Sequence, residues 1–317
     1  MEAYHDCQDG KYAEGLRIYQ ELYDSGYARA AVANNLGILY LKGNGTQVDL
    51  CRAYDLFIES AEAGNTVAMN NLADLLYFYY PFQESYQDEY EKLNVHLETR
   101  QSADLIKWLR QSAKLKSPLG LYNLAQYYED SGRFHENFIE DKYKMQLYRE
   151  SADLGYRWAQ MVYGMYELLE NHVQNAASYF EKAKEQDNEL SYAGNRVTDL
   201  LSLCSFFEKN PEYKPAALGY YGGQYGFSAV ITRKYKNEGF AACAEKDGKM
   251  GFIVFSHSGR VLATSPFIYT SMIHYDKEDF VLLESGLFHV STDDSPAIDE
   301  YFYVDINGVK QDISKQY

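Results

Sequence analysis

The chain has 317 residues, enough for two domains, and 46% of them are apolar against 24% charged, so a sizeable core is within reach and wholesale disorder is excluded. Thirty Lys plus Arg against 46 Asp plus Glu give a formal charge of −16 at pH 7. A field of that sign repels phosphate backbones and anionic lipid, which argues against nucleic acid and membrane partners and for a basic protein or peptide.

Cys7, Cys51, Cys204 and Cys243 show no C-x-x-C spacing. They are too sparse for a disulfide framework, wrongly spaced for zinc, and fit a reducing compartment. The opening residues Met1-Glu2-Ala3-Tyr4-His5-Asp6 lack the basic and apolar regions of a signal peptide, and no apolar run reaches 18 residues. The expectation is a soluble, cytoplasmic protein.

Along the first two thirds the sequence repeats itself. Ser60-Ala61, Ser112-Ala113 and Ser151-Ala152 align with similar flanks, and each is followed by a second apolar-periodic stretch beginning near Ala68, Gly120 and Ala159. One more copy precedes them over residues 12–37, and a degenerate one follows over residues 176–183. Leu36 and Leu72 are 36 residues apart, and Leu124 and Tyr163 are 39 apart. A unit of that length with two stripes at i, i+3, i+4 is an antiparallel helix pair, and since one pair cannot bury its own apolar face, such pairs stack. Gly37, Ala73, Ala125 and Gly164 recur at one position where a larger side chain would hold neighbouring helices apart. Gly26, Gly64 and Gly155 fall just past helix ends, where a left-handed cap suits a residue without Cβ.

The stretch from Ala33-Asn34-Asn35-Leu36-Gly37 through Tyr40-Leu41-Lys42-Gly43-Asn44-Gly45 and Asp49 to Ser60-Ala61-Glu62-Ala63-Gly64 resembles a nearly complete unit of the Sel1-like repeat family, and the resemblance covers residues 10–207. It implies a TPR-like α-solenoid. The family's Gly-x-Gly loop is replaced after Tyr77 by an acidic and aromatic insertion over residues 79–99, and after Tyr128 by residues 131–140.

Asn210-Pro211-Glu212-Tyr213-Lys214-Pro215 ends the helical pattern, because two closely spaced prolines do not sit inside a helix. Beyond it the period is two. Short apolar strands flank Asp247-Gly248 and Ser258-Gly259, which are hairpin signals. Residues 280–290 echo residues 240–253, and Tyr301-Phe302-Tyr303-Val304 supplies a further strand. Lys249-Met250-Gly251-Phe252-Ile253 through Gly259, with Gln224-Tyr225-Gly226-Phe227 as a poorer copy, resembles the WG-type β-repeat, with Met250 or Tyr225 in place of Trp. The fold class is therefore read as α+β: an N-terminal α-solenoid of Sel1-like helix pairs over residues 1–209, a linker over 210–218, and a small antiparallel β domain over 219–317. Up to Pro215 the chain carries 21 basic and 33 acidic residues, so the acidic field belongs mainly to the helical part.

Motifs for chemistry are nearly absent. Seven histidines form no H-x-x-x-H pair, and Glu140 stands where a zincin-like start at His135-Glu136 would need its second His. Gly43-Asn44-Gly45 lacks the rest of a phosphate loop. Cys243, Asp247, Ser256, His257 and Ser258 lie within one hairpin, but adjacent residues on strands and turns point opposite ways, and a solvated turn explains them. Asp293-Asp294 and Asp299-Glu300 lack the alternation and Gly of a calcium loop. Arg233-Lys234-Tyr235-Lys236 reads as a strand end. No cofactor and no metal is implied.

Tyrosine is the outlier: 32 residues, 23 of them before residue 216. Tyr40 and Tyr128 fall at packing positions, whereas Tyr77, Tyr79, Tyr80, Tyr86 and Tyr90, mixed with Asp88, Glu89 and Glu91, read as an exposed surface suited to a basic, apolar-edged partner. The Sel1-like resemblance implies that the first helix of each pair lines the concave face. Counting from the small-residue position, the inward residues are Asn34, Ile38, Asn70, Asp74, Tyr122, Gln126, Met161 and Met165, with Tyr77 beside them. The leading reading is a non-enzymatic scaffold that holds a peptide or protein in this groove. An immunity-type protein neutralising a basic toxin or effector is the alternative, and a β domain with its own ligand or reaction, recruited by the solenoid, is the third.

Overall fold

The computed structural model describes residues 2–78, 84–100, 105–134, 141–192, 194–217, 219–223, 226–272, 285–292 and 302–311. The chain divides into two compact units, 1–127 and 128–317.

In the first unit, helices follow the apolar periodicity: α1 (Glu2–Gln8), α2 (Tyr12–Asp24), α3 (Arg29–Lys42), α4 (Leu50–Glu62), α5 (Thr66–Ala73), α6 (Gln87–Arg100), α7 (Leu105–Lys114) and the start of α8 (Pro118–Phe134). Asp49 caps α4 by accepting from the Arg52 amide at 2.8 Å, and Asn65 caps α5 by accepting from Val67 at 3.0 Å. Gly64 and Gly155 take φ of +88° and +92° just past α4 and α9 (Asp141–Asp153), as the sequence suggests. Successive helices from α1 to α5 pack on one another, α6 packs on α4, and α5 packs on α7. Tyr19, Val32, Ala33, Leu36, Leu39 and Leu56 form one apolar cluster, and Leu50, Ala53, Tyr54, Phe57, Met69, Leu72, Leu75 and Leu93 form the next. Leu56 serves the first and Phe57 the second, so α4 joins both.

The insertion after Tyr77 is not an exposed loop where it is described. Residues 84–100 form a short turn and α6, and Tyr86, Tyr90 and Leu97 pack with the buried Leu93 against the second cluster. Those four positions share one helical face, which explains why the aromatic side turns inward while Asp88 and Glu91 stay exposed. Tyr79 and Tyr80 lie outside the described residues.

The second unit continues with α10 (Arg157–Leu169), α11 (Val173–Gln186), the small pair β1 (Ser191–Tyr192) and β2 (Asn195–Arg196), and α12 (Val197–Lys209). Then come β3 (Lys214–Ala216), β4 (Gly219–Gly223), β5 (Gly226–Val230), β6 (Thr232–Tyr235), β7 (Gly239–Lys246), β8 (Lys249–Ser256), β9 (Val261–Thr264), β10 (Ser271–Met272), β11 (Phe288–Ser291), β12 (Phe302–Val304) and β13 (Lys310–Gln311). All pairings are antiparallel: β3 and β6 pair different parts of β7, which continues through β8 to β9; β10 to β13 form a second sheet; β4 pairs β5.

Period-two alternation sorts the first sheet's two faces. Phe240, Ala242, Ala244, Ile253 and Phe255 share a core with Met161, Met165 and Leu168 of α10, Phe180 of α11, and Leu200, Leu203 and Phe207 of α12. On the other face, Ala241, Cys243, Phe252 and Val254 pack with Phe288, Val290 and Val304 of the second sheet. This corrects the expected boundary at 210–218. The segment holds β3, paired to β7, and the helices from α10 onward bury their apolar faces on the sheet, so no break between compact units falls there.

Candidate functional site

The first helices of the pairs in the first unit are tied by buried amides. Asn34 Oδ1 on α3 accepts from Asn71 Nδ2 on α5 at 2.8 Å, and Asn70 Oδ1 on α5 accepts from Asn123 Nδ2 on α8 at 3.2 Å. The pattern is the same at both steps: the first Asn of one helix accepts from the second polar position of the next. Asn35 Nδ2 extends the chain to the Tyr19 hydroxyl at 3.1 Å, and Asn70 Nδ2 donates to the Thr66 carbonyl at 2.7 Å and to the buried Ser112 Oγ at 3.2 Å. Tyr122 stands on α8 where Asn34 and Asn70 stand on α3 and α5, so this first-Asn position changes character there.

Two expected partner-binding residues are therefore used internally. Asn34 is 5% and Asn70 2% exposed, and their amides fix helix register, because a buried polar group without a partner costs free energy. Gln126 is equally buried at 5%, and Ile38 packs partly buried against the second cluster. Met161 and Met165, 0% and 3% exposed, are core residues beneath α12 and the sheet, which corrects their assignment to an open surface.

Asp74, Tyr77 and Tyr122 are half-buried and reach the surface. Asp74 opens a π-helical turn, Asp74–Phe78, that continues α5. The wider turn carries Tyr77 against Tyr127 of α8, with ring centroids 5.1 Å apart. Burial raises the Asp74 carboxyl to about 6. The sequence reading missed Tyr127 and the amide partners Asn71 and Asn123, although each lies one residue from a position it named.

A second polar cluster, in the other unit, went unread. Glu167 on α10 is buried and held by Tyr163, by Asn175 Nδ2 at 3.0 Å and by His172 Nδ1 at 3.2 Å. Although burial works the other way, these bonds hold its carboxyl below the usual range. Tyr179 donates to Asp153 at 2.7 Å and meets Tyr163 edge-on at 5.0 Å, and with Arg149 and Lys182 they line a cleft of 260 Å³. The i, i+4 pairs Tyr163/Glu167 and Asn175/Tyr179 are the available signal.

The hairpin residues considered for catalysis are engaged separately. Arg196 donates 2.8 Å to His257 Nδ1 and grips Asp199 through two bonds of 2.8 and 2.6 Å, while Ser256 and Ser258 Oγ atoms lie 2.9 Å apart. Cys243 is buried between the sheets, which pushes its thiol far above the usual range. Tyr235, in the basic cluster on β6, is buried and stacks on Phe288 at 5.7 Å. Among the described residues no three His, Cys, Asp or Glu are placed to hold a metal, and no helix is long and apolar enough to cross a membrane. His135, Glu136, Glu140, Asp293, Asp294, Asp299 and Glu300 lie outside the described residues.

No family model matches the sequence, and no curated protein matches it. Among solved structures, the chain is similar to the Sel1 repeat protein from Oxalobacter formigenes, with 22% identity, 64% of this chain and 73% of that chain covered, and a TM-score of 0.46. It is also similar to a protective antigen of uropathogenic Escherichia coli displaying an SLR fold, with 22% identity, 62% of this chain and 37% of that chain covered, and a TM-score of 0.43.

Proposed function

We propose that this chain is a non-enzymatic interaction scaffold: a Sel1-like solenoid that binds a basic peptide or protein along the first helices of its pairs, with WG-like β-hairpins after it. The observation that carries this reading is the amide ladder from Tyr19 to Asn123, which fixes α3, α5 and α8 in register beside the half-buried Asp74, Tyr77 and Tyr122. A preorganised surface of tyrosine and carboxylate loses little entropy on binding, and the overall charge of −16 favours a basic partner.

The test is selection of displayed random peptides on the full-length protein, followed by fluorescence anisotropy of individual peptides. Saturable binding that Tyr77→Ala or Tyr122→Ala weakens about tenfold, a typical loss for an interface anchor, supports the reading. Absence of any saturable peptide, or binding indifferent to both substitutions, overturns it.

A further inference from the structure

We infer that Asp74 is the anchor for a lysine or arginine side chain of the partner polypeptide, whose aliphatic stem lies along Tyr77 and Tyr127. The inference rests on reading the α5–α8 strip as the docking surface. Two contacts bracket Asp74: one helical turn before it Asn70 bonds Asn123, and three residues after it Tyr77 meets Tyr127. Asn123 and Tyr127 are themselves one turn apart on α8, so Asp74 lies on the seam between these two helices.

No cation is placed to pair with it among the described residues. Across α5 and its π turn lie α4, α7 and α6, and on α6 Tyr90 donates to the Leu76 carbonyl while the cation Lys92 is held by Glu89. On α4, Glu59 is bound by Arg29 and Tyr23, Asp55 by His96, and Arg52 faces the Tyr23 ring; Glu62 is exposed. On α7, Lys107 covers the Trp108 ring, while Arg110 and Lys114 are exposed. Residues 118–127 of α8 carry no charge at all. Burial alone accounts for the raised carboxyl, in keeping with a site that no described charge compensates. Residues 1–127 hold 17 acidic and 11 basic side chains, so the surrounding field also favours a cation. The flanking tyrosines suit a lysine or arginine in particular, since such side chains cover aromatic faces with their stems and bring the charge to a carboxylate.

The experiment follows the Asp74 carboxyl ¹³C resonance in the full-length protein, assigned with Asp74→Asn, while N-acetylarginine amide or N-acetyllysine amide is added at constant ionic strength. N-acetylcitrulline amide is the neutral control. A saturable fall of the Asp74 midpoint by about one pH unit with the cations, and none with citrulline, is expected. An equal response to all three, or none to any, overturns the inference. In selected peptides, replacing Lys or Arg by norleucine and substituting Asp74→Asn are each expected to weaken binding about tenfold and to remove its rise as pH passes 6. Peptides that bind but ignore both changes defeat this inference and leave the scaffold reading standing. If no peptide binds, that reading falls, and the resonance titration still decides the role of Asp74.

Discussion

Phe57 packs its ring against the backbone of Gly37 so closely that a Cβ at Gly37 would lie 2.7 Å from Cε1. The pairing recurs in the second unit, where a Cβ at Gly164 would lie 2.6 Å from Cε1 of Phe180. Both rings are fully buried, and the equivalent positions on α5 and α8 hold the small residues Ala73 and Ala125. The recurrent small residue thus sets how near a second helix can approach the first.

Gly37→Ala pits two effects against each other. Alanine in a helix interior gains about 1 kcal/mol over glycine, but overpacking a fully buried ring costs about 1–3 kcal/mol. The steric term is expected to win, lowering stability in urea unfolding. Adding Phe57→Leu should make the Gly37→Ala change less harmful than it is alone. A stabilising Gly37→Ala would refute the packing argument.

The amide ladder makes a second prediction. Asn70→Leu leaves the Asn123 amide without its acceptor and Ser112 without a donor in a buried setting, a loss on the order of 2 kcal/mol. A double-mutant cycle of Asn70→Ala with Asn123→Ala should give a coupling of about 1 kcal/mol, whereas Asn70→Ala with Ser178→Ala, in the other unit, should be additive. Zero coupling within the pair would mean that the ladder does not hold the helices in register.

What could be read from the sequence depended on how local the cause is. The small position at Gly37, Ala73, Ala125 and Gly164 was legible because helical period alone aligns it. The face holding Asn34, Asn70 and Asp74 was legible for the same reason, but periodicity says which way a residue points and not whether protein or water meets it there. Asn34 and Asn70 meet other helices, and Met161 and Met165 meet α12 and the sheet, partners set by long-range packing. α6 was hidden by composition: its acidic residues outweigh the four-residue stripe Tyr86, Tyr90, Leu93, Leu97 that seats it.

The Asp74 carboxyl predicts a pH dependence of known sign. Its folded value is raised from 3.8 to about 6, so the folded state holds its proton more tightly than the unfolded chain. That contribution is fully present below pH 3.8 and is lost as pH rises through about 6. Asp74→Asn should therefore gain stability over the parent across this window, reaching about 3 kcal/mol near neutrality. Urea unfolding of both proteins between about pH 4 and 7.5 measures it; parallel curves would contradict the burial of the carboxyl.

The thiols should separate by environment. Burial pushes Cys204 to about 12 and Cys243 further still, whereas Cys7 and Cys51 are only half-buried and shifted less. Since the thiolate is the reactive form, alkylation at about pH 8 should label Cys7 and Cys51 first, with Cys204 and Cys243 reacting only on unfolding. Mass mapping of a timed iodoacetamide reaction decides this, and early labelling of Cys243 would mean that the two sheets open readily.

A glycine of the opposite kind closes the β7–β8 hairpin. Asp247 and Gly248 have φ of +54° and +74°, between the paired Lys246 and Lys249, the conformation a two-residue hairpin turn requires. A Cβ at Gly248 would meet nothing within 4 Å, so Gly248→Ala suffers from backbone conformation alone and should cost about 1 kcal/mol. Asp247→Asn should be nearly neutral, since asparagine tolerates the same region. Replacing Phe57 relieves Gly37→Ala, but no neighbour can be trimmed to relieve Gly248→Ala. Urea unfolding of Gly248→Ala alone and combined with Lys249→Ala should show the same loss in both backgrounds, whereas a loss that vanished in the second would point to crowding at the turn.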